Sequence, residues 1–185
     1  TVWRRTHHLN RIGEAGGTRN GSTPFLQCWS TGTIVMQVYA IIPARFHSTR
    51  LPRKLILAET GKPLIQYAWE NARKATSLAG VRIAVDAPEI ADVVARFGGD
   101  AVMTGEHPSG TDRIAEVVRR ELPDADLIIN LQGDEPELDP TAIDLLVAEM
   151  ARHPTAEMGT LATPIRKLET LQATSCVKVV VAADG

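Results

Sequence analysis

The sequence predicts an α/β fold in which helices cover both faces of a mostly parallel sheet. Two observations support this prediction: short apolar runs alternate with helix-like stripes, and the runs lack polar residues at alternate positions. Strands without polar alternation are buried on both faces, as in a three-layer α/β domain. Because open sheets of this kind bind ligands outside the carboxyl ends of their strands, candidate site residues are sought in the loops there.

The first predicted strand is Val38–Ile42, an apolar run ended by Pro43. Further strands are predicted at residues 81–85, 101–103, 127–131, 158–162 and 177–181. Apolar residues at helical spacing predict helices near residues 64–72, 90–97, 114–122 and 143–150. Gly98 and Gly99 predict the end of the second helix.

The composition is that of a globular domain, with 44% hydrophobic and 23% charged residues among 185. A net charge of −2 gives no bulk electrostatic reason to expect nucleic acid as a partner. No apolar run approaches the ~20 residues of a membrane helix, so no membrane insertion is expected. Cys28 and Cys176 lie far apart without metal-type spacing, which favours a reducing compartment, and we expect a cytoplasmic protein.

Residues 1–35 are expected to lie outside a folded domain spanning residues 36–185. They contain four arginines but one acid, Glu14, and show no amphipathic period. We interpret them as a disordered, transit-type leader or, in preference, as a gene-model extension, because Met36 directly precedes the first convincing strand. The chain stops just after the run at 177–181, so we expect the domain to be incomplete at its C-terminus.

The loop after the first strand reads P-A-R-F-H-S-T-R-L-P-R-K over residues 43–54 and carries four cations, Arg45, Arg50, Arg53 and Lys54. Cations this close repel one another unless an anion such as a nucleoside triphosphate neutralises them. A solvated basic loop is the structural alternative, but the position directly after the first strand favours ligand binding.

A second loop, L-Q-G-D-E-P at residues 131–136, places Asp134 at the carboxyl end of another buried strand. Mg²⁺ commonly takes one or two carboxylates together with substrate phosphates. Gly-Asp-Glu-Pro is also good turn chemistry, so a purely structural turn is the alternative.

The third segment of interest is E-H-P-S-G-T-D-R at residues 106–113. Ser109 or Thr111 is expected to cap the following helix. Arg113 would then lie in the first helical turn, where a cation is not favoured, which suggests a ligand nearby. His107 is a weaker candidate, because lone histidines are more often structural. The chain contains neither a P-loop nor a dinucleotide fingerprint.

Together, P-A-R-x-x-S-T-R-L-P-x-K, H-x-S-G-T-x-R and Q-G-D-E-P resemble the 3-deoxy-manno-octulosonate cytidylyltransferase (CMP-Kdo synthetase) family, from Met36 to the end of the chain. The resemblance implies a nucleotidyltransferase fold of the nucleotide-diphospho-sugar transferase type. It implies transfer of CMP from CTP to 3-deoxy-manno-octulosonate (Kdo), with release of pyrophosphate, for lipopolysaccharide biosynthesis. It also implies a Mg²⁺-dependent homodimer.

The resemblance assigns roles to individual positions. It implies that the CTP loop includes Arg45, Ser48, Arg50 and Lys54, and that Ser109 and Arg113 lie near the nucleotide base. It also implies a sugar contact at Gln132 and a metal ligand at Asp134. Three of these, Arg45, Lys54 and Asp134, are the expected catalytic residues. Asp86 matches only weakly. Arg53 departs from the family, which usually has Gly before the loop lysine, and the family chain continues well beyond Gly185.

Two alternatives stay open. A CMP-sialic acid synthetase shares the P-A-R opening but typically continues Gly-Gly-Ser-Lys-Arg-Ile, where this chain has F-H-S-T-R-L at residues 46–51. A truncated remnant that at most binds nucleotide is the second alternative, supported by the missing C-terminal part. An intact basic loop and Asp134 argue against long sequence decay.

Overall fold

The computed structural model, which describes residues 1–4, 36–46, 51 and 53–181, contains one six-stranded sheet. Its strands are β1 (Val2–Arg4), β2 (Val38–Ala44), β3 (Gly80–Val85), β4 (Ala101–Met103), β5 (Leu127–Asn130) and β6 (Met158–Gly159). The spatial order is β4-β3-β2-β5-β1-β6. Strands β4, β3, β2 and β5 are parallel, whereas β1 is antiparallel to both β5 and β6. The predicted mostly parallel sheet is therefore confirmed.

The helices follow the strands in the predicted alternation. They are a 3₁₀ turn (Lys54–Ile56), α1 (Leu64–Ala72), α2 (Pro88–Arg96), α3 (Gly110–Glu121), α4 (Pro140–Arg152) and α5 (Leu168–Gln172). Ser109 caps α3 by accepting a hydrogen bond from the Asp112 N–H at 3.1 Å, as expected. Gly98 follows α2 with a φ of +77°, a conformation that glycine adopts without strain. None of the helices in the described residues has the length and apolar character needed to cross a membrane.

The side chains of β2 alternate between two apolar layers. Val38, Ala40 and Ile42 face a core formed with α1, α2 and α4. Ile41 faces a second core, which it shares with Ile114 and other residues of α3. Both layers exclude water from the central strands, and this burial is the main source of stability in such a fold. The predicted three-layer arrangement is confirmed.

Strand β1 corrects the expectation that residues 1–35 lie wholly outside the fold. Val2 is fully buried and pairs with Ile129 of β5, while Trp3 pairs with Met158 of β6. Arg4 donates hydrogen bonds to the carbonyls of Met150 and Ala156. The hydrogen-bond partners of this segment lie far along the chain, so local sequence gave no sign of it. Residues 5–35 lie outside the described residues, and the expectation for them stays a prediction.

The two strands predicted after α4 are largely wrong. Only Met158–Gly159 of the run at 158–162 is a strand, and residues 177–181 form none. Val177 and Val180 are 89% and 92% exposed. A β-branched run becomes a strand only where a neighbour pairs with it and buries one of its faces. In the described part of the chain, residues 177–181 have no such neighbour.

Asp144 of α4 forms hydrogen bonds that hold the connection between α1 and β3 against α4. Its carboxylate accepts four hydrogen bonds, from the backbone N–H and the hydroxyl of both Thr76 and Ser77, at 2.6–3.1 Å. Burial alone would raise the pKa of Asp144, but the hydrogen bonds from Ser77 and Thr76 lower it to about 2. The ionised carboxylate is therefore part of the folded structure.

We expect Asp144→Ala to lower the free energy of unfolding by about 2 kcal/mol at pH 7, because several charge-assisted hydrogen bonds are lost. The folded pKa lies below the ordinary value of 3.8, so the stabilisation is present above pH 3.8 and disappears as the pH falls towards 2. Urea unfolding at several pH values measures it, with Asp92→Ala on the exposed face of α2 as the control. An Asp144→Ala deficit that stays constant from pH 7 to pH 2 would contradict this assignment.

Candidate active site

The predicted site residues that the structure describes lie at one edge of the sheet, where the carboxyl ends of β2, β3 and β5 lie close together. Arg45 follows β2, Asp86 follows β3, and the loop at 131–136 follows β5. Parallel strands place their carboxyl ends at the same edge, so distant sequence segments meet there. Ser48 and Arg50 lie outside the described residues, and their roles stay predictions.

Lys54 and Asp134 form an ion pair, with 2.7 Å between Nζ and Oδ2. Each side chain is 40% exposed, so both charges reach solvent. An exposed pair of this kind contributes about 0–1 kcal/mol to stability, and a polyanion or a cation can compete with it. The structure therefore joins the basic loop and the acidic loop and leaves both groups partly exposed.

Close backbone packing brings these two loops together. A Cβ atom at Gly133 would lie 3.1 Å from Ile42 Cγ2 and 3.2 Å from Leu55 Cδ2, closer than side chains normally approach. Leu55 belongs to the 3₁₀ turn that begins at Lys54. Glycine at position 133 thus lets the Asp134 loop pack against the turn that carries Lys54.

Arg53, directly before Lys54, adopts the left-handed conformation with a φ of +59°. A non-glycine residue pays a steric cost of about 1–2 kcal/mol there, which explains why glycine suits this position. In this chain the position is occupied by arginine, whose guanidinium lies 5.0 Å from the centre of the Phe46 ring and forms a cation–π contact. The contact joins the two ends of the segment 46–53, and sequence reasoning did not predict it.

Arg113 is a buried residue and not an exposed ligand-facing one. It is 1% exposed, and its guanidinium pairs with Asp86 at 3.0 Å and donates to the Thr104 hydroxyl and, at 3.4 Å, to the Gly105 carbonyl. The presence of Arg113 in the first turn of α3 is thus explained by its ion pair with Asp86, which directly follows β3. A direct contact between Arg113 and a nucleotide stays a prediction.

The environment of Arg113 also shows that positive charge is crowded at this edge. Burial lowers the pKa of Arg113, the Asp86 carboxylate raises it, and the nearby Arg45 cation lowers it further. A bound anion would offset the repulsion that Arg45 exerts on the Arg113 charge. This proximity supports the prediction that Arg45 faces an anionic ligand.

Glu116 of α3 fixes the loop that precedes the helix. It accepts hydrogen bonds from His107 at 2.6 Å, from Arg120 at 2.7 Å and from the Gly105 N–H at 3.0 Å, which together lower its pKa to about 2. His107 is therefore engaged in shaping this loop, as the structural alternative expected. The loop in turn sets the position of Ser109.

Gln132 lies beside a cavity of about 280 Å³ at the carboxyl end of β5. The lining is part polar and part apolar, and it includes Asn130, Gln132, Glu135, Leu138, Ile143, Leu146 and Thr160. The Gln132 amide donates to the Asn130 side chain at 3.3 Å. A cavity of this size with convergent amide and carboxylate groups suits a small polar ligand.

The described residues offer few carboxylates for a metal. Within residues 1–4, 36–46, 51 and 53–181, no three His, Cys, Asp or Glu side chains converge as a metal site. Among the described residues, Asp134 is the exposed carboxylate that contacts a cation of the basic loop, Lys54. That donor set fits a hard cation such as Mg²⁺, which takes most of its oxygen ligands from phosphates and water.

The mostly parallel sheet, with cations, exposed carboxylates and a cavity at its carboxyl edge, has the fold of an α/β nucleotidyltransferase. A family model described as Cytidylyltransferase matches residues 39–185. The chain belongs to the cytidylyltransferase family, whose members generally use a divalent metal.

Two relatives named 3-deoxy-manno-octulosonate cytidylyltransferase are similar to the chain. The protein of Pseudomonas fluorescens is 46% identical over 147 residues, which cover 78% of this chain and 58% of the relative. The protein of Geobacter sulfurreducens is 43% identical over 151 residues, covering 81% and 60%. The chain thus spans about three-fifths of the length of these curated relatives.

Solved structures agree on the fold. CMP:2-keto-3-deoxy-manno-octonic acid synthetase complexed with CTP matches with 43% identity and a TM-score of 0.61, over 64% of this chain and 48% of that one. A cytidylyltransferase of Leptospira borgpetersenii matches with 22% identity and a TM-score of 0.56, over 63% and 50%. The second similarity concerns the fold alone.

Proposed function

We propose that the chain is the nucleotide-binding part of an enzyme that transfers CMP from CTP to Kdo and releases pyrophosphate. The observation that carries the proposal is the ion pair of Lys54 and Asp134 at the carboxyl edge of the sheet. Arg45, which follows β2, and the cavity at Gln132, which follows β5, belong to the same edge. The identity of 42–46% with relatives named for this reaction supports Kdo over sialic acid as the acceptor.

In this proposal Lys54 exchanges its partner when CTP binds. The exposed contact with Asp134 is weak, so triphosphate oxygens can replace the carboxylate. Arg45, crowded by Arg113, gains a counter-charge at the same time. The two cations then stabilise the charge that develops on the departing pyrophosphate, as positioned charges do in phosphoryl transfer generally.

Asp134, released from Lys54, would hold Mg²⁺. When bound, Mg²⁺ neutralises phosphate charge and aligns the reacting oxygens. Gln132, two residues earlier, borders the cavity in which we place the sugar acid. The anomeric hydroxyl of Kdo in that cavity then attacks the α-phosphorus of CTP. The bond from that phosphorus to the pyrophosphate oxygen breaks, and the hydroxyl proton passes to solvent. Mg²⁺ as the metal, a homodimer and a cytoplasmic location are further parts of this proposal.

Pyrophosphate release tests the proposal in the protein extended to the length of its relatives. We expect release with CTP, Kdo and Mg²⁺, and little with ATP, GTP or UTP. Sialic acid in place of Kdo is the matched control, because it is also a keto sugar acid. Release with sialic acid and none with Kdo would overturn the assignment of the acceptor.

A further inference from the structure

Asp86 is placed where the segments after β2 and β4 meet. It directly follows β3, the strand that lies between β2 and β4. One carboxylate oxygen, Oδ1, accepts the Phe46 backbone N–H at 2.8 Å. The other, Oδ2, accepts from Arg113 at 3.0 Å. A single side chain thus contacts the start of the basic loop and the first turn of α3.

The contact with Arg113 extends to the loop between β4 and α3. Arg113 also donates to the Thr104 hydroxyl and the Gly105 carbonyl, so its position fixes the first residues of that loop. Gly110, at the start of α3, lies so close to Pro43 of β2 that an added Cβ would be 3.3 Å from the proline ring. Asp86 and this close packing hold α3 against the end of β2.

The contact with Phe46 extends in the opposite direction, towards Lys54. The Phe46 ring carries the Arg53 guanidinium at 5.0 Å, and Arg53 immediately precedes Lys54. Lys54 in turn reaches Asp134 at 2.7 Å. A continuous set of contacts therefore runs from Arg113 through Asp86, Phe46 and Arg53 to the lysine.

We infer that Asp86 is a positioning residue that sets the distance between the nucleoside-facing segment 104–113 and the triphosphate-facing cations Arg45 and Lys54. This inference rests on the proposed function. An ion pair that only stabilised the fold would need one carboxylate oxygen for the buried Arg113. Asp86 uses its second oxygen on the backbone of the basic loop, so its removal frees that loop as well as unpairing Arg113.

Hydrogen exchange and nucleotide binding test this inference in the same protein. In Asp86→Ala we expect the Phe46 amide to exchange about 10-fold faster or more, because its acceptor is lost. We expect the Kd for CTP to rise about 10-fold, and by a larger factor than the Kd for CMP or tripolyphosphate, each of which needs one segment only. Asp86→Asn keeps an acceptor oxygen and should restore most of the Phe46 protection.

The matched control is Asp100→Asn. Like Asp86, Asp100 pairs with an arginine, in this case Arg82 of β3 at 2.9 Å. Asp100 precedes β4, however, and so lies at the opposite edge of the sheet. It should leave Phe46 exchange and CTP binding unchanged. If Asp86→Ala fails to fold, the double variant Asp86→Leu with Arg113→Met removes both charges and still lacks the acceptor, so it carries the same prediction for Phe46 exchange.

A folded Asp86 variant without the acceptor that retained wild-type Phe46 exchange, or wild-type CTP binding, would overturn the inference. Equal losses for CTP, CMP and tripolyphosphate would do the same, since they would indicate general destabilisation. The exchange experiment needs no nucleotide. Wild-type protein that bound no CTP would therefore contradict the proposed function, while Phe46 exchange would still decide whether Asp86 holds the loop.

Discussion

Replacing Lys54 with alanine should lower turnover of CTP and Kdo by about 10²-fold or more. The lysine is the cation that the structure presents at the carboxyl edge beside Asp134, and the proposed reaction develops charge on pyrophosphate there. Losing one positioned charge of this kind costs about 3 kcal/mol of transition-state stabilisation. The thermal midpoint should change little, because the exposed pair contributes little to folding. Steady-state pyrophosphate release and thermal unfolding measure the two effects.

The control for Lys54→Ala is Lys62→Ala. Lys62 also forms a lysine–carboxylate ion pair, with Glu70 of α1 at 2.8 Å, but it belongs to the connection between the 3₁₀ turn and α1 and pairs with a different carboxylate. Loss of Lys62 should leave turnover unchanged. Near-normal turnover in Lys54→Ala would show that the lysine does not act on the triphosphate.

Asp134→Asn should lower turnover by about 10²-fold or more as well, with a different dependence on metal. The substitution keeps the shape and one oxygen but removes the charge that attracts a hard cation. We therefore expect part of the loss to be recovered at high Mg²⁺ concentration, which does not rescue Lys54→Ala. Titration of activity with Mg²⁺ in both variants separates the two roles.

Glu137→Gln is the control for Asp134→Asn, because it removes an exposed carboxylate from the same connection between β5 and α4. It should leave the Mg²⁺ dependence unaltered. Equal Mg²⁺ dependence in Asp134→Asn and the wild-type protein would contradict the assignment of Asp134 as the metal ligand.

Much of the fold could be predicted because its central strands are continuous apolar runs, which are visible in the local sequence. Val38–Ile42 and residues 127–131 are long enough to mark central strands, and their flanking helices have clear apolar stripes. Strand β1 has three residues, and its burial depends on partners over a hundred positions away. Residues 177–181 show the reverse case, in which strong β propensity has no described neighbour to pair with.

The candidate site was predictable where it depends on side-chain charge. Lys54 and Asp134 stand out in the sequence because their loops follow buried strands, and the structure brings them to 2.7 Å. The Asp86 contact could not be found in this way. Its partner is the Phe46 backbone N–H, a donor that nearly every residue has and that only the folded chain aims at a carboxylate. The signal available was the position of Asp86 at the end of a buried strand.

The placement of β1 bears on the order in which the chain folds. In the described residues, β6 is hydrogen-bonded to β1 and to no other strand, so residues 2–4 connect it to the rest of the sheet. Bringing the start of the chain back to β5 closes a very long loop, which is entropically costly and slow. Among the described strands, β6 therefore belongs to the sheet only through β1, so the loss of β1 would also remove β6 from the sheet.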